Sequence, residues 1–457
     1  MSESYPKKMI CKNLFNDKLC INLQRILFAE GVKKQQLLTN PIKMFMNLQQ
    51  VKIVVIGAGN RTNKYLEYAA LHPERLKLVG IVEPVEIRRN LVAEKFGVPA
   101  EACFSSFDDF FSNHIDADAV LIGTPEDKHY EPCMRAIEAG YHVLLEKPIA
   151  QTKHECLDIL EASRRKGVIV GVCHVLRFHP YFMKIKEVVD SGELGQIVSI
   201  NHYAEINIDR MAHSYVRGLW NRAKKTNPML IAKCCHDIDF LLWICGSKCR
   251  KVSSFGSLRW FRKENAPEGS AERCIDCKVE QTCPFSAVNL YKERKQWIRN
   301  FDVPPGQTID NVIDKELREG KFGRCVYHCD NDVADHQVVN MELEDETTIS
   351  FVANAFTLND FRGTHIKMTH GEIDGNETTL RVRKFRGGEE KVYDFSDLCT
   401  QPFHAGADLN IVEAFVNSIT NAECGVLSSD IASSIESHVV CYEAETSRLN
   451  DKTILLD

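Results

Sequence analysis

From Val51 onward the chain alternates between short unbroken apolar runs and stretches whose apolar residues recur at helical spacing. Val51–Ile56 (VKIVVI) reads as a buried strand that runs straight into Gly57-Ala58-Gly59, and a helical pattern then extends to about His72. Leu76–Val82 is a second strand ending at Glu83, followed by a helix over Glu86–Phe96. Ala119–Ile122, Tyr141–Leu145 and Val168–Val172 supply three more strands, separated by helices over Glu131–Ala139 and His154–Lys166. Buried strands alternating with amphipathic helices predict a parallel, doubly wound sheet over residues 47–172.

The rhythm changes after Phe178. A helix over Tyr181–Asp190 stops at Gly192, and longer alternating strands follow at Ile197–Ile206, Val252–Phe261, Val338–Leu343, Thr347–Phe356 and Thr364–Thr369, with shorter ones to about Phe395. They predict one open, largely antiparallel sheet in a second domain over 173–457. A helix over Leu230–Cys245 is embedded in it, and helices over Asp408–Ile419 and Ser429–Leu449 close the chain. The fold class expected is α/β: an N-terminal Rossmann sheet plus a C-terminal α+β domain. Residues 263–330, with Pro, Gly and clustered Cys, read as an insertion without an obvious core of its own. Residues 1–46 show no clear strand and read as an N-terminal extension, with Met44 or Met46 as alternative starts.

Composition narrows the class. A length of 457 residues suits two domains, and 44% hydrophobic with 26% charged residues is ordinary for a globular protein. Net charge is −6 and no long basic run occurs, which argues against a nucleic-acid partner. No stretch has the apolar length to span a bilayer and the first residues show no secretory pattern, so a cytoplasmic protein is expected. A chain this long builds a core without disulfides, so the 18 Cys are read as reduced thiols.

Gly57-Ala58-Gly59-Asn60-Arg61-Thr62 stands where a phosphate loop must stand, after a strand and opening a helix. Gly57 makes the tight turn, Gly59 lets backbone approach a pyrophosphate, and the helix N-terminus offers unpaired N–H groups. Thr62 takes the place of the third glycine, which implies looser packing of helix on strand. Glu83, 24 residues after Gly59, is suited to accept both ribose hydroxyls of NAD and to repel a 2′-phosphate. Arg88 and Arg89 close behind keep NADP as the alternative. Gly123-Thr124-Pro125 and Glu146-Lys147-Pro148 each follow a strand, at the edge where open α/β sheets bind ligands. On spacing alone, the charged residues of the second triplet are as well explained by solvation as by a site.

Cys274-x2-Cys277-x5-Cys283, with Cys325 and Cys329 further on, has the spacing of a metal grip. Cys274, Cys277, Cys283 and Cys325 form the expected ligand set. Structural zinc stands slightly ahead of an iron–sulfur cluster or free thiols.

VVIGAGNR, LIGTPEDKHYEPCMRAIEAGYHVLLEKPIA, RFHPYFMKIKEVVDSGELGQI and AKCCHDIDFLLWICG occur in this order. Through them the chain resembles the Gfo/Idh/MocA oxidoreductases, the glucose–fructose oxidoreductase and inositol dehydrogenase family, over roughly residues 50–450. The resemblance implies an NAD(P)-binding Rossmann domain, an open-faced sheet covering the nicotinamide, and a sugar or polyol substrate. By the same resemblance Lys147 points at the reacting oxygen, and His236 is the helix histidine that serves as general acid/base. Thr124, Pro125, His129 and Glu146 flank the cofactor, and Arg177 lies in a matching stretch as a substrate contact. Asp239 matches the acidic residue three positions after His236, with a helix-stabilising role equally open. Many relatives carry an acid four positions before that histidine, where this chain has Ala232. Lys233, three before His236 and on the same helical face, either replaces that acid in binding substrate or lowers the pKa of His236. Through RCVYHCDNDV (324–333), Asp335-His336-Gln337 and His404-Ala405-Gly406-Ala407-Asp408 the chain is similar, more narrowly, to a branch in bacterial sugar catabolism, which makes His336, Gln337 and Asp408 candidate substrate contacts, with satisfied polar roles nearly as well supported.

The implied activity is hydride transfer to or from a CH–OH group of a sugar, glycoside or polyol. Two alternatives stand beside it: a glycosidase that retains NAD through an oxidation–elimination–hydration–reduction cycle, and a non-catalytic NAD(P) sensor or scaffold. An open apolar sheet is a liability in water, so a homo-oligomer joined through the C-terminal sheet is expected.

Overall fold

Six short strands lie side by side, all parallel, in the order β3-β2-β1-β4-β5-β6. They are β1 (Val51–Ile56), β2 (Leu76–Val82), β3 (Cys103–Phe104), β4 (Ala119–Ile122), β5 (His142–Leu145) and β6 (Val170–Val172). The computed structural model describes residues 50–456 apart from Glu389, residues 399–400 and residues 421–426. The expected extension over 1–46 therefore lies outside the described residues. Strand order reverses between β1 and β4, which opens a crevice at the carboxyl ends of these two strands. Helices α1 (Asn60–Leu71), α2 (Glu86–Phe96), α3 (Phe107–Ser112), α4 (Tyr130–Glu138) and α5 (Lys153–Lys166) make the crossovers. Their ends follow local chemistry. Thr152 and Glu155 form a reciprocal cap at the start of α5, and Gly167, at φ 66°, closes its end. Strand β3 and helix α3 escape the sequence pattern, because two and six residues are too few to show a period.

After α6 (Pro180–Asp190), nine strands form the second sheet, in the order β14-β13-β12-β11-β7-β10-β9-β8-β15. In chain order the elements are β7 (Ile197–Asn207), α7 (Met229–Cys245), β8 (Cys249–Ser257), α8 (Ile309–Arg318), β9 (His336–Leu343), β10 (Thr348–Thr357), β11 (Phe361–Met368), β12 (Gly371–Gly375), β13 (Thr379–Lys384), β14 (Lys391–Asp394), α9 (Ala407–Thr420), α10 (Ile431–Asn450) and β15 (Ile454–Leu455). Among the described residues only β7 and β10 pair in parallel here; all other neighbours are antiparallel. Alternation puts Ile200, Ala204, Val339, Ile349 and Phe351 on the inner face, in one core with Leu230, Ile238 and Phe240 of α7 and Val440 of α10. The outer face, expected to be apolar, is mixed. Exposed Asn201, Asn340 and Asn354 stand there among the apolar residues Phe255, Val352 and Phe356.

Two further expectations are corrected. The insertion over 263–330 does have a core: Cys274, Ala287, Leu290, Tyr291, Ile313 and Leu317 pack together, with α8 contributing the last two. And α9, expected to belong to the second domain, covers one face of the first sheet. Ile411, Val412, Phe415 and Val416 share a cluster with Ile53 and Val55 of β1, and with Tyr65 and Leu66 of α1. That face of the parallel sheet is apolar and needs a cover that its own crossovers do not complete. Among the described residues no helix is long and apolar enough to cross a membrane.

Phe415 is fully buried in this cluster. Phe415→Ala is expected to lower unfolding free energy by about 3–5 kcal/mol, measured by denaturant titration. A loss below about 1 kcal/mol would show that α9 contributes little to the first domain.

Candidate functional site

The glycine loop leaves β1 at Gly57, whose φ is +90° and where any Cβ would press on the backbone of Gly123 and Thr124. Glycine is therefore required twice over, for conformation and for the approach of the two loops. Gly59 precedes α1 with open space where a side chain would be, and no side chain caps the helix. A pyrophosphate fits such a place, against free N–H groups at the positive end of the helix. The substituted third position is accommodated from the other side. Thr62 is buried, and a Cβ on Gly123 would overlap its hydroxyl. The packing is not looser; the space has moved to the facing loop.

Glu83 is buried at the end of β2 and accepts the N–H of Ala58 (2.8 Å) and of Val85 (2.9 Å). It thus fixes the glycine loop from the carboxyl end of β2. Arg89 donates to the Glu83 carbonyl, while Arg88 turns away to pair with Asp302. Asn63, not picked out by the sequence reading, donates to the carbonyls of Ala58 and Gly59.

Arg61 ties three segments together. Its Nε donates to Glu146 (2.9 Å), its Nη2 to Asp408 (2.7 Å), and Tyr65 donates to the same Glu146 oxygen (2.7 Å). His404 adds a second contact to Asp408 (2.8 Å). Although burial opposes ionisation, the Arg61 guanidinium holds the Glu146 carboxyl below its usual range, and His404 and Arg61 do the same for Asp408. Asp408, expected to contact substrate, instead anchors α9 to the glycine-loop helix. Glu146 is likewise spent on Arg61, Tyr65 and the N–H of Lys147.

Lys147 reaches across to the second domain, where its Nζ donates to the Ala232 carbonyl at 2.5 Å, one turn before His236 on α7. Burial first, then the charges of Lys147, His174, Arg362 and Lys233, push the His236 pKa well below the ordinary value. His236 is thus held in its neutral form at neutral pH. The buried ring of His174 packs against it, with centroids 5.6 Å apart, and stands 5.3 Å from that of His438. The Nε2 of His438 accepts the N–H of Ile149 (3.0 Å), which fixes the loop that carries Lys147. His129 is buried and bridges the carbonyls of Thr124 (3.0 Å) and Pro148 (2.7 Å), so it joins the two loops. Thr124 and the exposed Pro125 border the crevice.

Four candidate substrate contacts have other partners, and for Asp239 this is the helix-stabilising role that the sequence left open. Arg177 and Asp239 are both buried and pair with each other through two bonds of 2.7 Å, with Ser433 completing the set. They brace α7 from behind. His336 falls on the outer face of the sheet, opposite α7, and pairs with Asp335. Its neighbour Gln337 points inward, donating to Glu445 of α10 (2.7 Å). A one-residue step along a strand reverses the face.

Sequence reading missed Glu126, a buried carboxylate that accepts from Trp220 (2.6 Å) and Asn227 (2.8 Å) across the two domains. Its place just after Thr124-Pro125 was the available signal. It also missed Arg362 on β11, which pairs with buried Asp237 of α7. An arginine on a strand gives no hint of this.

Cys274, Cys277, Cys283 and Cys325 do line one narrow cavity, together with buried Arg217. Yet among the described residues no group of three or more His, Cys, Asp or Glu side chains is arranged to hold a metal ion. Cys274 instead accepts weak bonds from Arg217 (3.6 Å) and the N–H of Ala287 (3.5 Å). The expected structural zinc has no support. The insertion packs on its own apolar residues and on Arg217, which donates to the carbonyls of Arg324 and Phe285.

Residues 51–174 match the profile of the GFO/IDH/MocA oxidoreductase family with NAD-binding Rossmann fold, and residues 182–286 match the GFO/IDH/MocA C-terminal domain. The chain is 23% identical over 266 residues to the putative oxidoreductase YteT of Bacillus subtilis, covering 57% of this chain and 60% of that protein. It is 31% identical over 135 residues to inositol 2-dehydrogenase 2 of Saccharopolyspora erythraea, covering 29% of this chain and 36% of that one. The matched stretches thus span no more than 60% of these relatives. A crystal structure of an oxidoreductase from Agrobacterium radiobacter, in complex with NAD+, L-tartaric acid and magnesium, has the same fold. It superposes with a TM-score of 0.65 at 14% identity, over 89% of this chain and 98% of that one.

Gly123→Ala is expected to destabilise the protein and abolish NAD binding by driving the Thr62 hydroxyl out of place. Adding Thr62→Ala should restore both, as read by thermal unfolding with and without NAD. Equal damage in the single and double variants would show that the two positions do not interact.

Proposed function

The chain belongs to the Gfo/Idh/MocA oxidoreductases, and on that premise we propose that it moves hydride between NAD and a CH–OH group of a sugar, glycoside or polyol. The observation that carries this reading is the reach of the Lys147 ammonium to the helix of a neutral His236. NAD, when bound, supplies the hydride acceptor or donor. Gly59 and the start of α1 would hold its pyrophosphate, and Glu83 its ribose hydroxyls, with NADP disfavoured by that buried carboxylate.

Lys147 polarises the substrate oxygen, and its charge stabilises negative charge that develops there. His236 takes the hydroxyl proton in oxidation and returns it in reduction. Both side chains stand where one domain faces the other, so a substrate between them is shielded from water. A second reading, a glycosidase that retains NAD, rests on Ala232, where many relatives carry an acid. It predicts sugar release without net NADH.

Lys147→Ala should lower turnover by roughly 10²–10⁴-fold while leaving NAD affinity intact, in a screen of NADH formation with aldoses, inositols and glycosides. Equal loss of NAD binding and turnover would remove Lys147 from the chemical step. His236 is active when unprotonated and its pKa is depressed, so the acid limb of the oxidation rate should lie well below pH 6.5. A limb at or above pH 6.5 that disappears in His236→Asn would contradict the depressed value.

A further inference from the structure

Lys233 lies on α7 three residues before His236, so the two side chains share one face of the helix. His236 feels the charge of both Lys233 and Lys147. Lys147 has a carbonyl partner, but the Lys233 ammonium makes no hydrogen bond or ion pair among the described residues. The carboxylates near it are already engaged. Asp237, on the same helix, is held by Arg362 of β11 and by His202 of β7 (3.2 Å). Asp360, just ahead of β11, is held by Arg210 (2.8 Å) and by the N–H of Asn207 (3.0 Å). Arg362 also faces Glu377, at 3.5 Å. Each guanidinium therefore has its counter-ion and Lys233 does not.

A partly buried ammonium without an anion is costly, and the cost is removed by whatever anion binds beside it. Ala232 leaves a small, uncharged position next to it on the helix. We propose that the substrate is an acidic sugar whose carboxylate pairs with Lys233 while its reacting hydroxyl lies between Lys147 and His236. A carboxylate matches the one charge of Lys233, which has no partner among the described residues. A phosphate dianion would need further cationic donors, and Arg210 and Arg362 are both committed. The inference rests on the oxidoreductase reading and narrows its substrate to uronates or related sugar acids.

Protonation of Lys233 supplies a second signature. Burial, reinforced by Arg362 and Arg210 and opposed by Asp237 and Asp360, lowers its pKa to about 8. The ammonium form is therefore present below pH 8 and lost as pH rises above it, so carboxylate affinity should hold below that point and decline beyond it.

The test is calorimetric titration of the NAD-loaded full chain with matched sets: D-glucose, D-galactose and D-mannose, the uronate of each, and the 6-phosphate of each. A uronate is expected to bind at least about tenfold more tightly than its neutral parent, with affinity falling above pH 8. Lys233→Met should abolish the preference and leave NAD affinity as it was, and Lys233→Arg should retain it. Neutral sugars bound as tightly as uronates, a preference for 6-phosphates, a preference that survives Lys233→Met, or no uronate bound at all would each overturn the proposal. Oxidation of a neutral sugar with NAD would keep the oxidoreductase reading and sink this one, whereas failure to bind NAD would sink the oxidoreductase reading itself.

Discussion

The Arg61 guanidinium is the joint on which the rest of the site depends. It stands at the start of the helix that follows the glycine loop, and it binds a carboxylate from the loop after β5 and another from α9. A half-buried cation of this kind is compensated by the two anions and the phenol that surround it. Removing one partner would leave charge stranded. The loop that carries Lys147 is thereby held in register with the glycine loop, and the reach of Lys147 to α7 follows from that register.

A second layer of buried polar groups fixes α7 itself. Arg177 and Asp239 pair behind it, Asp237 is gripped by Arg362 and His202, and His174 packs against the His236 ring. Helix α7 is otherwise strongly apolar, so each charged residue on it needs a named partner to stay buried. Lys233 is only half-buried, and it has no partner among the described residues.

Much of this was legible in the sequence. The parallel sheet showed itself because strands buried on both faces are continuous apolar runs, and the glycine loop because its glycines sit at a strand–helix junction. Lys147 and His236 came from matching motifs. What could not be read was pairing over distance. Nothing in the neighbourhood of Asp408 or Asp239 says that an arginine far along the chain will claim the carboxylate, so both were placed in the substrate site. His336 failed for a different reason: the strand was found, but an alternating pattern does not say which face is inward until the sheet's neighbours are known. The cysteines illustrate the limit of spacing. Four thiols did converge, yet convergence around a buried arginine is not the geometry of an ion cage.

The helix α9 that closes over the first sheet follows β6 only after the whole second sheet up to β14. As the protein emerges from the ribosome, the parallel sheet can pair its strands long before its second face is covered. Until α9 arrives, an apolar surface that includes Val55 and Tyr65 remains open to water and to other chains. The strands of the dinucleotide domain are therefore continuous along the sequence but not autonomous in assembly: the sheet reaches its final packing only when α9 is made, and a fragment ending after β6 would carry a sticky face in place of a finished one.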